Sequence, residues 1–301
     1  MQYKLVLVVF ALLFAANLST TSAAVLNIYG AGSTFVQDVY EGAVYTYQFV
    51  NPNVKVHYHP TGSGGGLKRI MQGSTMSPDS HGPPYDIDFC GSDEILTPDD
   101  YKKYPDMQLY PAIAGAVVPI YNIPELPTNL DLILHMQTIV DIFAGKIEYW
   151  NHPSIVDNNK GNNGVDAILA TVNQKIKVFV RSDSSGTTEI FKNTLSDVDP
   201  MFNVYFGIAN NSNTAWKSPY LGNNYTHARD GNPGVASGVV ATPYGIGYSV
   251  LSDAVRIGLR MASVVKPGST QVVKPTEEGV EFAVSEKGMG RLLSPLSHLP
   301  C

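Results

Sequence analysis

One segment near the middle of the chain strongly restricts how it can fold, because a strand pattern, a polar turn and a helical pattern follow one another without a gap. Residues 176–180 alternate in polarity, which predicts a β-strand. Residues 190–198 place apolar side chains on one face of a predicted helix. The turn at 184–188 therefore lies at a helix N-terminus, with unpaired backbone N–H groups and a partial positive charge.

This turn also carries the side chains that a tetrahedral oxyanion such as phosphate or sulfate requires. Arg181 offers a planar fork of N–H groups, and Gly186 lets the backbone approach a ligand closely. An ordinary capped turn, with Arg181 paired to Asp183 for structural reasons, fits the same residues, and this segment alone leaves both interpretations open. The additional hydroxyl donors are those of Ser184, Ser185, Thr187 and Thr188.

Two more donor-rich turns follow predicted strands. Ser33-Thr34 follows the apolar run at 25–29, and Ser63-Gly64-Gly65 follows the alternating run at 54–58. Thr34 with Gln37 has the spacing of a helix capping box. Repeated strand–turn–helix units predict an α/β fold, in which such turns cluster at the carboxyl ends of the strands, where ligands bind.

The sequence contains no pattern typical of a nucleotide, a metal ion or a catalytic group. The glycine run at 61–66 matches neither nucleotide-binding glycine motif, and it predicts a flexible turn before a short helix at 67–71. Asp86, Asp88 and Asp93 lack calcium-loop spacing, and the seven histidines form no zinc-protease motif. We therefore expect no cofactor, no metal site and no catalytic residue.

Composition narrows the class of partner. The chain has 301 residues, of which 44% are hydrophobic and only 15% are charged, enough for two domains or one large one. The net charge is −6 and no basic patch is present, so nucleic acid is not an expected partner. An acidic protein must bind an anion through local donors rather than through its overall field.

The N-terminus predicts export. Lys4 precedes the apolar run at 5–16, and the small residues at 21–23 suit cleavage, so we expect a signal peptide over residues 1–23. No later run reaches membrane-spanning length, and the mature chain is expected to be periplasmic or secreted. Asn210 and Asn224 begin weak glycosylation motifs, and nothing in the sequence supports a bridge between the two cysteines, Cys90 and Cys301.

Six ordered segments resemble one protein family. The matching segments are Gly30-Ala31-Gly32-Ser33-Thr34-Phe35, Gly62-Ser63-Gly64-Gly65-Gly66, Asp88-Phe89-Cys90-Gly91-Ser92-Asp93, residues 141–150, residues 181–187 and Gly245-Ile246-Gly247-Tyr248. In these segments, and over roughly residues 24–276, the chain resembles the periplasmic phosphate-binding proteins, the solute-binding component of the high-affinity phosphate ABC transporter.

The resemblance implies a fold and a function. The fold would be two-lobed α/β, periplasmic-binding-protein-like (type II), with mixed sheets and a central anion cleft. Residues 24–111 and 256–301 would form lobe 1, and residues 112–255 would form lobe 2. The protein would bind inorganic phosphate without converting it chemically, and it would deliver the phosphate to a membrane permease.

The resemblance also implies which residues contact the ligand. Asp183 would orient Arg181, and Phe35 and Gly186 would contribute backbone N–H groups. The phosphate contacts matched in this way are Thr34, Phe35, Ser63, Asp93, Arg181, Ser185, Gly186 and Thr187.

Three features depart from the family pattern. Residues 74–84 form a polar insertion, expected to be a surface loop, and Cys90 replaces a residue that is more often small. The chain stops at Cys301, where the family continues, which implies that the C-terminal part of lobe 1 is truncated.

Asp93 helps to distinguish a phosphate site from a sulfate or molybdate site. Phosphate near neutral pH keeps a proton that can be donated to a carboxylate, whereas sulfate has none, so Asp93 argues against a sulfate or molybdate site. In a simpler interpretation, Asp93 only caps the helix that follows it. Two competing functions also fit the sequence: an exported phosphatase or other phosphate-ester enzyme, and a diverged relative with a scaffold or adhesion role.

Overall fold

The structure is a computed structural model that describes residues 25–73, 86–206, 216 and 226–287. The predicted signal peptide, the loop at 74–84, Asn210, Asn224 and Cys301 lie outside the described residues. Within the described ranges, no helix is both long enough and apolar enough to cross a membrane.

Helices and strands alternate through most of the chain. The strands are β1 (Leu26–Gly32), β2 (Val54–Pro60), β3 (Phe89–Gly91), β4 (Val117–Tyr121), β5 (Ile133–His135), β6 (Lys177–Arg181), β7 (Thr226–Arg229), β8 (Gly245–Val250), β9 (Arg260–Met261), β10 (Ser263–Val265) and β11 (Val272–Val273). The helices are α1 (Gln37–Val50), α2 (Ser63–Gln72), α3 (Pro98–Lys103), α4 (Met136–Phe143), α5 (Pro153–Asn158), α6 (Val165–Thr171), α7 (Gly186–Val198), α8 (Pro200–Phe206), α9 (Gly231–Ala241), α10 (Leu251–Ile257) and α11 (Glu277–Lys287).

The strands form three sheets. The first has the order β2-β1-β3 and is parallel throughout. The second has the order β7-β6-β8-β4-β9, in which β6 runs parallel to β7 and β8 while β4 runs antiparallel to β8 and β9. A small third sheet has the order β11-β10-β5. The predicted α/β class with mixed sheets is confirmed.

Most of the buried core surrounds the second sheet. All six residues of β8 are buried, as expected for a strand covered on both faces. Trp150, Phe143 and Tyr248 are the bulkiest fully buried aromatic side chains of this region. The first sheet is covered more thinly, because α1 has no buried residue and leaves Phe49 and Val50 75% exposed. The second sheet therefore carries the larger part of the buried core.

Two local predictions were wrong. The glycine run does not form a flexible turn, because α2 already begins at Ser63 and contains Gly64 to Gly66. Thr34 does not form a capping box, since α1 begins at Gln37 without a side-chain cap bond. The Thr34 hydroxyl oxygen instead accepts a hydrogen bond from the Asn232 N–H at 3.2 Å, a tertiary contact that local spacing cannot reveal.

Residues after 255 pair with strands from the middle of the chain. β9 pairs with β4, and β10 pairs with β5, whereas the resemblance implied that residues 256–301 belong to lobe 1. The pairing makes β9 a strand of the second sheet and β10 a strand of the third sheet. The division into lobes at 111/112 and 255/256 stays a prediction.

Candidate anion-binding site

The turn between β6 and α7 has the predicted form. β6 ends at Arg181, and the 13-residue helix α7 begins at Gly186 with Ser185 as its N-cap residue. The Ser185 hydroxyl oxygen accepts a hydrogen bond from the Thr188 N–H at 3.2 Å. This arrangement leaves the first backbone N–H groups of α7 and the positive end of its dipole at the carboxyl edge of the sheet.

The Arg181 guanidinium is held on two sides. Its Nε donates to Asp183 Oδ1 at 2.6 Å, and its Nη2 donates to Asp183 Oδ2. Its Nη1 donates to Asn232 Oδ1 at 2.7 Å. Arg181 is only 2% exposed, so its guanidinium is held in one orientation and its charge is only weakly screened by solvent. The structural Arg181–Asp183 pair is therefore present, and it fixes the orientation of the guanidinium.

Asp93 lies in the turn after β3 and meets α7 from the other side. The Thr187 hydroxyl donates to Asp93 Oδ2 at 3.0 Å, and the Asp93 N–H donates to Ser63 Oγ at 3.2 Å. Burial raises the pKa of the Asp93 carboxyl, and the hydrogen bond from Ser33 is the largest of the opposing effects. The N-cap of the next helix, α3, is Thr97, so the interpretation in which Asp93 caps that helix is wrong.

Two glycines allow the turns to touch. Gly62 has φ +75°, and a Cβ built there would lie 2.3 Å from the Ser184 carbonyl oxygen. A Cβ on Gly186 would lie 2.6 Å from Asp93 Cβ. Any side chain at either position would hold the turns apart, so these glycines let the first and second sheets meet at the site.

Thr34 and Phe35 complete the side of the site that belongs to the first sheet. The Thr34 hydroxyl is bound to Asn232, as described above, and the Phe35 N–H donates to Ser33 Oγ at 3.0 Å. Phe35 was predicted to offer this N–H to a ligand, so that role requires its bond to the serine to be exchanged. The structure thus places the predicted contact residues at the ends of β1, β3 and β6 and at the starts of α2 and α7.

Sequence reasoning missed Asn232, which is hydrogen-bonded to three of the predicted contact residues. It is fully buried, its Oδ1 accepts from Arg181, its Nδ2 donates to Thr187 Oγ1 at 3.3 Å, and its backbone N–H donates to Thr34. Asn232 lies at the start of α9, directly after Gly231 at φ +66°. β7, this turn and α9 form a further strand–turn–helix unit, which is the signal that could have identified the residue.

Tyr248 was likewise matched only as part of a motif. Its hydroxyl accepts a hydrogen bond from the Arg181 N–H at 3.1 Å and lies 2.7 Å from Thr188 Oγ1. This buried hydroxyl ties the end of β6 to the first turn of α7 from beneath. In the part of the chain that the structure describes, no group of three or more His, Cys, Asp or Glu side chains could hold a metal ion.

Comparison with known proteins identifies the family. The family model of the PBP superfamily domain matches residues 18–294. The phosphate-binding protein PstS of Pasteurella multocida is 32% identical over 290 residues, which are 94% of this chain and 74% of that protein. The chain belongs to the PstS phosphate-binding proteins of the PBP superfamily. PstS of Methanocaldococcus jannaschii is 35% identical over 84% of this chain, and the chain spans 60% of that relative's length.

A solved structure shows the same fold. A high-affinity periplasmic phosphate-binding protein, solved with bound phosphate, matches with a TM-score of 0.61 at 21% identity. The match covers 86% of this chain and 68% of the solved chain. The fold of this PstS family member is therefore the two-lobed α/β fold of phosphate-binding proteins.

Proposed function

We propose that this chain binds inorganic phosphate between the turns that follow β1, β3 and β6. The observation that carries the proposal is the buried Arg181 guanidinium, fixed by Asp183 and Asn232, beside the Thr187–Asp93 hydrogen bond that joins the two sheets. A buried cation with a fixed fork and a helix N-terminus together favour a compact oxyanion.

The donors surround the ligand from both sides. The Arg181 guanidinium supplies the charge, and the first turn of α7 supplies backbone N–H groups and its dipole. Phosphate enters by taking over hydrogen bonds that these groups make to one another in the structure, such as the bond between Thr187 and Asp93. The donors proposed to contact phosphate are those of Thr34, Phe35, Ser63, Arg181, Ser185, Gly186 and Thr187.

Asp93 decides which oxyanion is accepted. Phosphate keeps a proton near neutral pH and donates it to the carboxylate, so one proton lies between the two groups. Burial raises the pKa of Asp93, which makes the ionised carboxylate a better hydrogen-bond acceptor. Sulfate carries no such proton, and its oxygens would meet the carboxylate with lone pairs only, a contact that costs several kcal/mol.

The proposed activity is binding without conversion. The Ser185 hydroxyl accepts the N-cap hydrogen bond of α7, which is a structural bond rather than the contact to a base that a nucleophile needs. This supports a solute-binding protein over a phosphatase. As the resemblance implies, the protein would be exported to the periplasm or secreted, and it would deliver phosphate to a membrane permease.

The test is competition between phosphate and sulfate in the wild type and in Asp93→Asn. In the wild type we expect sulfate to bind about a thousandfold more weakly than phosphate. The Asp93→Asn variant should bind sulfate, because the asparagine amide can donate a hydrogen bond to it. Asp88→Asn is the matched control, since Asp88 is exposed and its carboxylate binds the Tyr29 N–H. Wild-type sulfate affinity within about tenfold of that for phosphate would refute the assignment.

A further inference from the structure

Glu94 is buried beside the proposed phosphate contact Asp93, but it takes no part in the hydrogen-bond network of the site. The residue is only 2% exposed, and neither carboxylate oxygen has a hydrogen-bond partner. Its backbone is fixed, because the Glu94 N–H donates to Ser92 Oγ at 3.0 Å. An ionised carboxylate in such a place is strongly disfavoured, whereas a protonated one costs far less.

A second carboxylate comes from the other side of the cleft. Glu189 lies in the first turn of α7, three residues after Gly186, so both residues share one face of the helix. That face rests on the turn after β3, since a Cβ on Gly186 would lie 2.9 Å from the Glu94 backbone nitrogen. Glu189 Oε2 also lacks a hydrogen-bond partner. The contact between the two sheets therefore brings together two poorly compensated carboxylates.

The titratable neighbours add negative charge and no compensation. Burial raises the pKa of Glu94 to about 7, and the charges of Glu189 and Asp93 contribute in the same direction. Burial, followed by the charge of Asp93, also raises the pKa of Glu189. Burial raises the pKa of the neighbouring Cys90 thiol to about 12, so that group stays neutral at physiological pH. The nearby cation, Arg181, is paired with Asp183.

We propose that closure of the two sheets on phosphate takes up one proton on the Glu94–Glu189 pair, so that phosphate affinity falls as the pH rises. The inference rests on the proposed phosphate binding. Opening the contact returns water to Glu94 and moves Glu189 away, and both changes lower the proton affinity of the pair. Protonation of the pair thus stabilises the closed state, so phosphate is retained at low pH and released at high pH.

The direction and the size of the pH effect on phosphate affinity follow from linkage between proton binding and ligand binding. A carboxyl whose pKa is higher in the closed state than in the open state favours closure below the closed-state pKa. This contribution is lost as the pH rises through about 7. If the open state has the ordinary pKa of 4.5, the pair changes phosphate affinity by roughly thirtyfold between about pH 5.5 and about pH 8.5.

The experiment compares Glu94→Gln with the wild type, because phosphate itself and Asp93 also titrate and both effects are common to the two proteins. Phosphate dissociation constants are measured by calorimetry at several pH values from about 5.5 to about 8.5. We expect the ratio of wild-type Kd to variant Kd to rise by about tenfold or more across this range. Glu148→Gln, at an exposed glutamate paired with Lys175, is the matched control and leaves the ratio constant.

Proton uptake gives an independent readout. In buffers of different ionisation enthalpy, phosphate binding near pH 7.5 should take up more protons in the wild type than in Glu94→Gln. Where Glu94→Gln does not fold, Glu189→Gln serves instead, and it should weaken the pH dependence because it removes the facing charge. Binding with parallel pH curves and equal proton uptake overturns this inference alone. No binding at any pH overturns the proposed function as well.

Discussion

Asn232 provides a demanding test, because Asn232→Ala removes a side chain that sequence matching did not select. The alanine lacks both the oxygen that accepts from Arg181 Nη1 and the amide that donates to Thr187. The Asp183 contacts to the guanidinium remain, and so does the backbone bond from residue 232 to Thr34. The change therefore loosens the cation and the hydroxyl without removing either.

The expected loss can be worked from the bonds removed. A hydrogen bond to a charged group contributes roughly 1.5–3 kcal/mol and a neutral one about 0.5–1.5 kcal/mol. Part of this energy is present without ligand and appears as lower stability. The part that depends on closure appears as lower phosphate affinity, for which we expect about 1.4–2.8 kcal/mol, a ten- to hundredfold rise in Kd.

Asn159→Ala separates stability from function. Asn159 is also fully buried, and its amide donates to the Ile133 and Ile155 carbonyls, away from the site. Both variants should unfold at lower temperature, but only Asn232→Ala should lose phosphate affinity in calorimetric titration. Equal phosphate affinities for Asn232→Ala and Asn159→Ala would show that Asn232 supports the fold alone, and the proposed anchoring of Arg181 would be refuted.

Three further outcomes are expected. Arg181→Ala should weaken phosphate binding by well over tenfold, and a loss of less than about tenfold would show that the site is misplaced. The control is Arg260→Ala, which removes an arginine bound to the carbonyls of Leu126 and Leu130 and should leave the Kd for phosphate unchanged. X-ray scattering should show a more compact particle with saturating phosphate, because the ligand joins the two sheets; identical profiles would argue against closure. Sulfate should begin to compete as the pH falls through the raised pKa of Asp93, since the protonated carboxyl can donate to sulfate; exclusion that persists in acid would argue against Asp93 as the selective group.

The strand–turn–helix units were predictable because each depends on local chemistry. Alternating polarity identified β6, and the hydroxyl-rich turn identified the N-terminus of α7, although the cap role of Ser185 required the structure. The boundaries were less accurate, as at α2, where three glycines in a row predict a turn. Glycine is costly in a helix, and here close contact with neighbouring backbone outweighs that local preference.

Contacts between distant turns could not be predicted from local sequence. Thr34 looked like a helix cap, but its hydroxyl oxygen binds a backbone N–H 198 residues away. Asn232 and Glu94 owe their environments to the meeting of the two sheets. A buried carboxylate without a partner has no sequence signature, because its burial depends on what packs over it. The resemblance to phosphate-binding proteins predicted the contact residues and the Arg181–Asp183 pair, whereas the supporting bonds of Asn232 required the structure.

The most direct test of the central claim is a calorimetric titration of phosphate into the wild-type protein after bound phosphate has been removed. We expect saturable binding of one phosphate per chain and no heat from sulfate under the same conditions. An absence of saturable binding at about 1 mM phosphate, in a protein that unfolds cooperatively, would contradict the account.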